Sequence, residues 1–136
     1  MTTLAAESRF ISSYVALMKR RYVEGIVKVS LDIHNKASEN INLPPLLFIS
    51  FIENAFKHGV SYNNETHIDI KLNEENGRIM FICDNTIPQK KSVAKEGGVG
   101  LSNVRRRLDL LYGEDYSLDI NQDEHTHSVK LIIPCR

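Results

Sequence analysis

Apolar residues recur along this chain with two different periods, and each switch between them marks the boundary of an element. Phe10, Ile11, Tyr14, Leu17 and Met18 are spaced for a helix over residues 4–22 that lays them on a core, with Gly25 ending it. From Ile26 to Ile33 the period falls to two. Val27, Val29, Leu31 and Ile33 alternate there with Lys28, Ser30 and Asp32, the pattern of a strand with one wet face. Beyond a polar loop, Pro44-Pro45 suits the first turn of a helix, where a missing N–H costs nothing, and the apolar run to His58 extends that helix to the neighbourhood of Gly59.

Ile68, Ile70 and Leu72 alternate with polar neighbours, and past Glu74-Glu75-Asn76-Gly77 comes the run Ile79 to Cys83, apolar on both faces. The pair reads as a hairpin whose second strand is central in a sheet. Asp84 to Gly97 is a long loop of turn formers and lysines, after which Leu101, Val104, Leu108 and Leu111 restore helical spacing up to Gly113. Tyr116, Leu118 and Ile120, then Val129, Leu131 and Ile133, add two alternating strands joined by a turn over residues 122–126. Five strands and three amphipathic helices bury their apolar sides in a two-layer α+β sandwich with the helices on one face. A doubly wound parallel fold fits worse, because strands here twice follow one another with no helix between them.

At 136 residues, 42% hydrophobic and 25% charged, the chain has the make-up of one ordinary globular domain, which excludes a disordered or fibrous class. Its 17 basic residues balance 17 acidic ones, so no net charge draws it to nucleic acid or to an acidic membrane. Lys19-Arg20-Arg21 and Arg105-Arg106-Arg107 read as solvated helix faces, and no predicted strand interleaves aromatic with basic residues as a nucleic-acid platform would. Ile41 to Ile52, the longest nearly uncharged stretch, falls well short of the roughly 20 residues of a membrane span, and Met1 is followed by no signal-peptide pattern. A soluble domain is expected. Cys83 and Cys135 sit in apolar runs without metal-ligand spacing, which favours two reduced core thiols in a cytosolic setting over a zinc site.

Chemistry concentrates in the second helix. At about 100° per residue, Ser50, Glu53, Asn54, Lys57, His58 and Ser61 fall within an arc of roughly 140°, while apolar side chains cover the rest. This stripe offers a carboxylate to orient a nucleophile, an amide oxygen for a hard cation, and an ammonium and an imidazole for phosphate. It is equally the wet face of an ordinary helix with a Glu53–Lys57 pair at i,i+4. Gly97-Gly98-Val99-Gly100 opens the third helix with free backbone N–H groups that an anion can approach, or serves only as a hinge. It is neither a dinucleotide fingerprint nor a P-loop. Asp84 ends the most apolar strand, either as a partly desolvated acceptor for a ligand amino group or as an Asx turn.

Taken in order, E-N-A-F-K-H-G (Glu53 to Gly59), the D-N after a buried strand (Asp84, Asn85), a lysine-bearing loop and G-V-G-L-S-N-V-R-R-R-L (Gly98 to Leu108) resemble the ATP-binding domain of sensor histidine kinases, in the Bergerat-fold (HATPase) superfamily. P-P-L-L-F-I-S-F-I-E-N-A-F-K-H-G and G-V-G-L-S-N-V-R-R-R-L-D-L-L-Y-G are similar, more narrowly, to the bacterial kinases that signal to LytTR-type response regulators. The likeness runs nearly end to end, including the opening L-x-x-E-x-x-F-I-x-x-Y helix. It implies a mixed five-stranded sheet and Mg²⁺-dependent ATP binding. Asn54 would then ligate the magnesium, with Lys57 and His58 near the phosphates. Glu53 would act on the incoming histidine as base or orienter, and Asp84 would accept from the adenine amino group. Gly98, Gly100 and Leu101 would form the lid end around the nucleotide. Asn103 and Arg107 match the family pattern without an assigned role.

Two departures accompany the match. The usual D-x-G-x-G is here Asp84-Asn85-Thr86-Ile87-Pro88, without either glycine, and Ser50 stands where many histidine kinases carry an earlier Asn. The phosphoacceptor helix with H-F-x-F-N is absent from residues 1–136, so the resemblance implies one catalytic domain cut from a longer kinase. That parent would be a homodimeric inner-membrane sensor with this domain in the cytoplasm, its partners the parent's own dimerisation and phosphoacceptor domain and a LytTR-type regulator. The alternatives are a non-catalytic docking module that has lost the nucleotide, and a serine kinase like the anti-sigma-factor kinases of the same superfamily.

Overall fold

The computed structural model describes residues 2–22, 26–34, 42–59, 65–87 and 99–135. Strand β1 (Thr2–Thr3) leads into helix α1 (Leu4–Arg20), followed by β2 (Val27–His34), the two-residue β3 (Asn42–Leu43) and helix α2 (Leu47–Gly59). The hairpin β4 (Thr66–Glu75) and β5 (Arg78–Thr86) comes next, then helix α3 (Val99–Tyr112), β6 (Ser117–Gln122) and β7 (Thr126–Pro134). β1 and β3 pair as a short antiparallel ladder that alternation does not reveal at two residues apiece. The other five strands form one mixed sheet in the order β2-β4-β5-β7-β6, with β2 parallel to β4 and every other neighbour antiparallel. This is the two-layer α+β sandwich anticipated, with β5 at the centre as its double-sided apolar run requires.

Alternation decides the layers. Ile68, Ile70 and Leu72 of β4, Ile79, Phe81 and Cys83 of β5, and Val129, Leu131 and Ile133 of β7 are all buried toward the helices. α2 lies over β4 and β5, where Phe48 stacks on Phe81 at 4.9 Å and Phe51 packs beside it at 5.9 Å. Tyr14 of α1 meets Phe56 of α2 edge-on at 6.1 Å.

Two expectations are corrected. Phe10 and Leu17 are 47% and 59% exposed, because α1 buries the adjacent stripe of Leu4, Glu7, Ser8, Ile11, Val15 and Met18 instead. Pro44 and Pro45 precede α2 rather than forming its first turn, since Leu46 turns the chain at φ 59° before the helix begins. Gly25, the segment from residue 88 through Gly98, and Ser61 lie outside the described residues. Both cysteines are free thiols; burial, aided by the charges of Asp84 and Asp69, pushes the Cys83 thiol up to about 12. Among the described residues no helix is long and apolar enough to cross a membrane.

Candidate functional site

The apolar bulk of α2 docks on the sheet and leaves its polar stripe at the margin of the core. Leu47, Phe48, Ile49, Phe51, Ile52, Ala55 and Phe56 are buried, whereas Glu53 and Lys57 are exposed and Ser50, Asn54 and His58 half-buried. Asn54 therefore offers its amide from a partly desolvated position, with a carboxylate one residue earlier and a cation three residues later. Ser50 is already engaged, its hydroxyl donating to the Leu46 carbonyl of its own helix at 3.3 Å. It back-bonds as mid-helix serines do.

As a metal site this donor set is sparse. Among the described residues no three His, Cys, Asp or Glu side chains cluster to hold an ion. One amide oxygen suits a hard cation that keeps its waters and takes phosphate oxygens from a substrate, which is how magnesium binds beside nucleotides. The residues present fit Mg²⁺ in that role and not a protein-caged metal.

At the end of β5 the structure separates two neighbours. Ile79, Phe81 and Cys83 face the helices, and the same alternation turns Asn85, 2% exposed, to that side. Asp84 thereby stands on the open face of the sheet, across from Asp69 of β4 and beside Ser128 of β7. By that alternation Asp84 belongs to the face opposite the layer that carries Asn54. Asn85 donates from Nδ2 to the Thr86 carbonyl at 3.0 Å, which leaves Oδ1 as the acceptor end of the amide. The signal was in the sequence, but Met80 and Ile82 made β5 apolar on both faces and concealed which side Asn85 takes.

Gly100 and Leu101 lie in the first turn of α3, where backbone N–H groups lack intrahelical partners. Leu101 is 8% exposed and belongs to the core, so its side chain anchors this helix start. Gly98 lies outside the described residues. Arg107, farther along α3, donates from Nη2 to the Pro45 carbonyl just ahead of α2 at 2.8 Å. Glu7 of α1, for which the sequence suggested no task, is 3% exposed and accepts the Leu46 N–H at 3.3 Å. Burial pushes its carboxyl up from the usual range, against the pull of the Leu46 and Phe48 N–H groups and the Arg107 charge.

No family model matches the chain. In sequence it is similar over 97% of its length to the sensor protein LytS of Staphylococcus saprophyticus, at 34% identity. It is also similar over 98% to the sensor histidine kinase BtsS of Escherichia coli at 27%, and over its full length to the sensor histidine kinase YesM of Bacillus subtilis at 26%. Each match takes up 24% of the relative, so the chain spans about a quarter of the length of these curated relatives. In structure it matches the catalytic domain of the histidine kinase ThkA with a TM-score of 0.70 at 14% identity, covering 99% of this chain and 97% of that one. The histidine kinase domain of the blue-light-activated kinase from Erythrobacter litoralis matches with a TM-score of 0.67 at 17% identity, covering 94% and 60%.

Proposed function

We infer that this chain, which is related to the sensor histidine kinases of two-component systems and folds as a histidine kinase catalytic domain, binds Mg-ATP and passes the γ-phosphoryl group to a histidine on another part of a longer kinase. The observation that carries this reading is the α2 stripe: Glu53, Asn54, Lys57 and His58 lie together on a helix otherwise committed to the core. In this assignment Asn54 holds the magnesium through its amide oxygen, and Lys57 and His58 supply positive charge and N–H donors toward the phosphates. Bound magnesium neutralises part of the phosphate charge. Asn85 Oδ1, in place of the Asp84 carboxylate, accepts from the adenine amino group. Gly98, Gly100 and the start of α3 close around the nucleotide through their backbone.

In the transfer, the bond from the γ-phosphorus to the ADP oxygen breaks and a bond to the acceptor nitrogen forms, while Glu53 orients that imidazole or takes its proton. The acceptor lies on the parent's own dimerisation domain, and the phosphoryl group then moves to a response regulator. The LytS likeness favours the LytTR type, and the neighbour ThkA has been solved in complex with the response regulator TrrA. The relatives' names as sensors support a sensory parent, which in this reading is a homodimer at the inner membrane with this domain in the cytoplasm.

Calorimetric titration with ATP, with and without Mg²⁺, tests the reading. Mg-ATP is expected to bind, and Asn54→Ala to abolish the magnesium-dependent part of the affinity. Absence of binding at millimolar nucleotide favours the docking module. An equal loss with and without magnesium removes Asn54 as the ligand.

A further inference from the structure

α2 bears the candidate site and has no cap of its own. Pro44, Pro45 and Leu46 precede it, and its first turn contains no acidic side chain. The first N–H groups of a helix require acceptors from elsewhere. Glu7 supplies one from α1, 39 residues earlier, by accepting the Leu46 N–H at 3.3 Å, and the Phe48 N–H also acts on its carboxylate. The opposite side of the same turn is held from α3, where Arg107 Nη2 donates to the Pro45 carbonyl at 2.8 Å. A single peptide group, the one joining Pro45 to Leu46, is thus gripped at its C=O from one helix and at its N–H from another.

A packing role alone does not account for Glu7. It is 3% exposed, and its Oε1 is buried with no hydrogen-bond partner among the described residues, a costly arrangement where a Leu or Met would simply fill the space. What the carboxylate adds is direction. Phe48 and Phe51 hold α2 against Phe81 by contacts that tolerate rotation, whereas hydrogen bonds to named backbone groups do not. A shift of one residue turns a helix by about 100°, enough to carry Asn54 from the margin into the core.

We propose that Glu7 and Arg107 are positioning residues: by clamping the Pro45–Leu46 turn from α1 and α3, they fix where α2 begins and so aim the Glu53–Asn54–Lys57 stripe. The clamp stands on its own geometry, while its consequence for ligand binding rests on the Mg-ATP reading above.

The test compares the whole chain with E7Q, E7D, E7A and R107A by amide hydrogen exchange at Leu46 and Phe48 and by Mg-ATP calorimetry, after thermal melts identify which variants fold. E7Q keeps an acceptor at the same reach and should retain both amide protection and affinity. E7D keeps the charge but falls a methylene short; it and E7A should lose protection and bind Mg-ATP about fivefold or more weakly, the scale of a lost helix cap. R107A should weaken binding in the same sense, and E7D/R107A together by less than the product of the two. Protection retained in E7D, or E7Q behaving like E7D, overturns the clamp. Wild-type affinity in both E7D and R107A overturns its role in aiming the site. A wild-type chain that binds no nucleotide overturns the Mg-ATP reading instead, and exchange at Leu46 and Phe48 then decides the clamp alone.

Discussion

Asp84 and Asn85 differ by a few atoms and by one step of the pleat, and that step decides what each can touch. The Asp84 carboxylate shares the open face with Asp69 directly opposite on β4, and like charges in that relation repel across a strand pair. Asp84→Asn is therefore expected to leave stability unchanged or raise it by about 0.2–1 kcal/mol in thermal unfolding, with the preference for ATP over GTP intact. Asn85→Leu keeps the bulk and removes the acceptor. Guanine presents a carbonyl where adenine presents its amino group, so the wild type should favour ATP roughly tenfold, and N85L should lose that preference. Competition calorimetry measures both, and a preference lost in D84N but kept in N85L returns the role to Asp84.

Among the elements, the β4–β5 hairpin shows how a local signal survives into the structure intact. Asn76 at φ 53° and Gly77 at φ 75° form the left-handed two-residue turn whose twist matches the flanking strands. A Cβ on Gly77 would meet nothing within 4 Å, so the backbone angle is the whole cost of Gly77→Ala. Chemical denaturation should show a loss of about 1–2 kcal/mol. A loss near zero would mean that the turn relaxes to another type. α1 behaves differently, because its sequence carries two overlapping apolar stripes. Phe10, Tyr14 and Leu17 lie one step of about 100° from Ile11, Val15 and Met18, and spacing alone cannot choose between them. Contact with β2 and α2 makes the choice.

For the whole molecule, the burial of Glu7 ties stability to pH. Its folded pKa lies above the ordinary carboxylate value, so over the window from there up to the raised value the folded chain binds more protons than the unfolded one. The Glu7 contribution to stability must then fall as pH rises through that window, the reverse of the usual salt-bridged carboxylate. Unfolding free energies of wild type and E7Q, compared across the acid range, should show E7Q gaining on wild type with rising pH; a constant difference would place the Glu7 pKa at its ordinary value. Transfer chemistry also belongs to this scale, because the proposed reading places the acceptor histidine on another part of a longer kinase. Alone, the chain should bind ATP and label none of its five histidines from γ-labelled nucleotide. Supplied with the parent's acceptor domain it should phosphorylate that histidine, and Glu53→Ala should slow transfer far more than it weakens ATP binding. Strong self-labelling of the isolated chain would contradict this division, and normal transfer by E53A would remove Glu53 from the reaction.

Periodicity by itself determined that there are three helices and five principal strands, that β5 is central, and that α2 carries one polar stripe on an apolar body. Those are properties of consecutive residues, where side-chain direction follows from helix or strand geometry alone. Even the inward turn of Asn85 was implicit in Ile79, Phe81 and Cys83. Tertiary structure alone decided the parallel pairing of β2 with β4, which joins Val27 to Thr66, and the face of α1 that is buried. It also decided that Glu7 and Arg107 meet at the Pro45–Leu46 turn. No local pattern encodes an acceptor 39 residues from its donor, or an arginine 62 residues from its carbonyl. Such bonds exist only once the packing of apolar faces has brought three helix surfaces together and excluded the water that would otherwise satisfy the same groups.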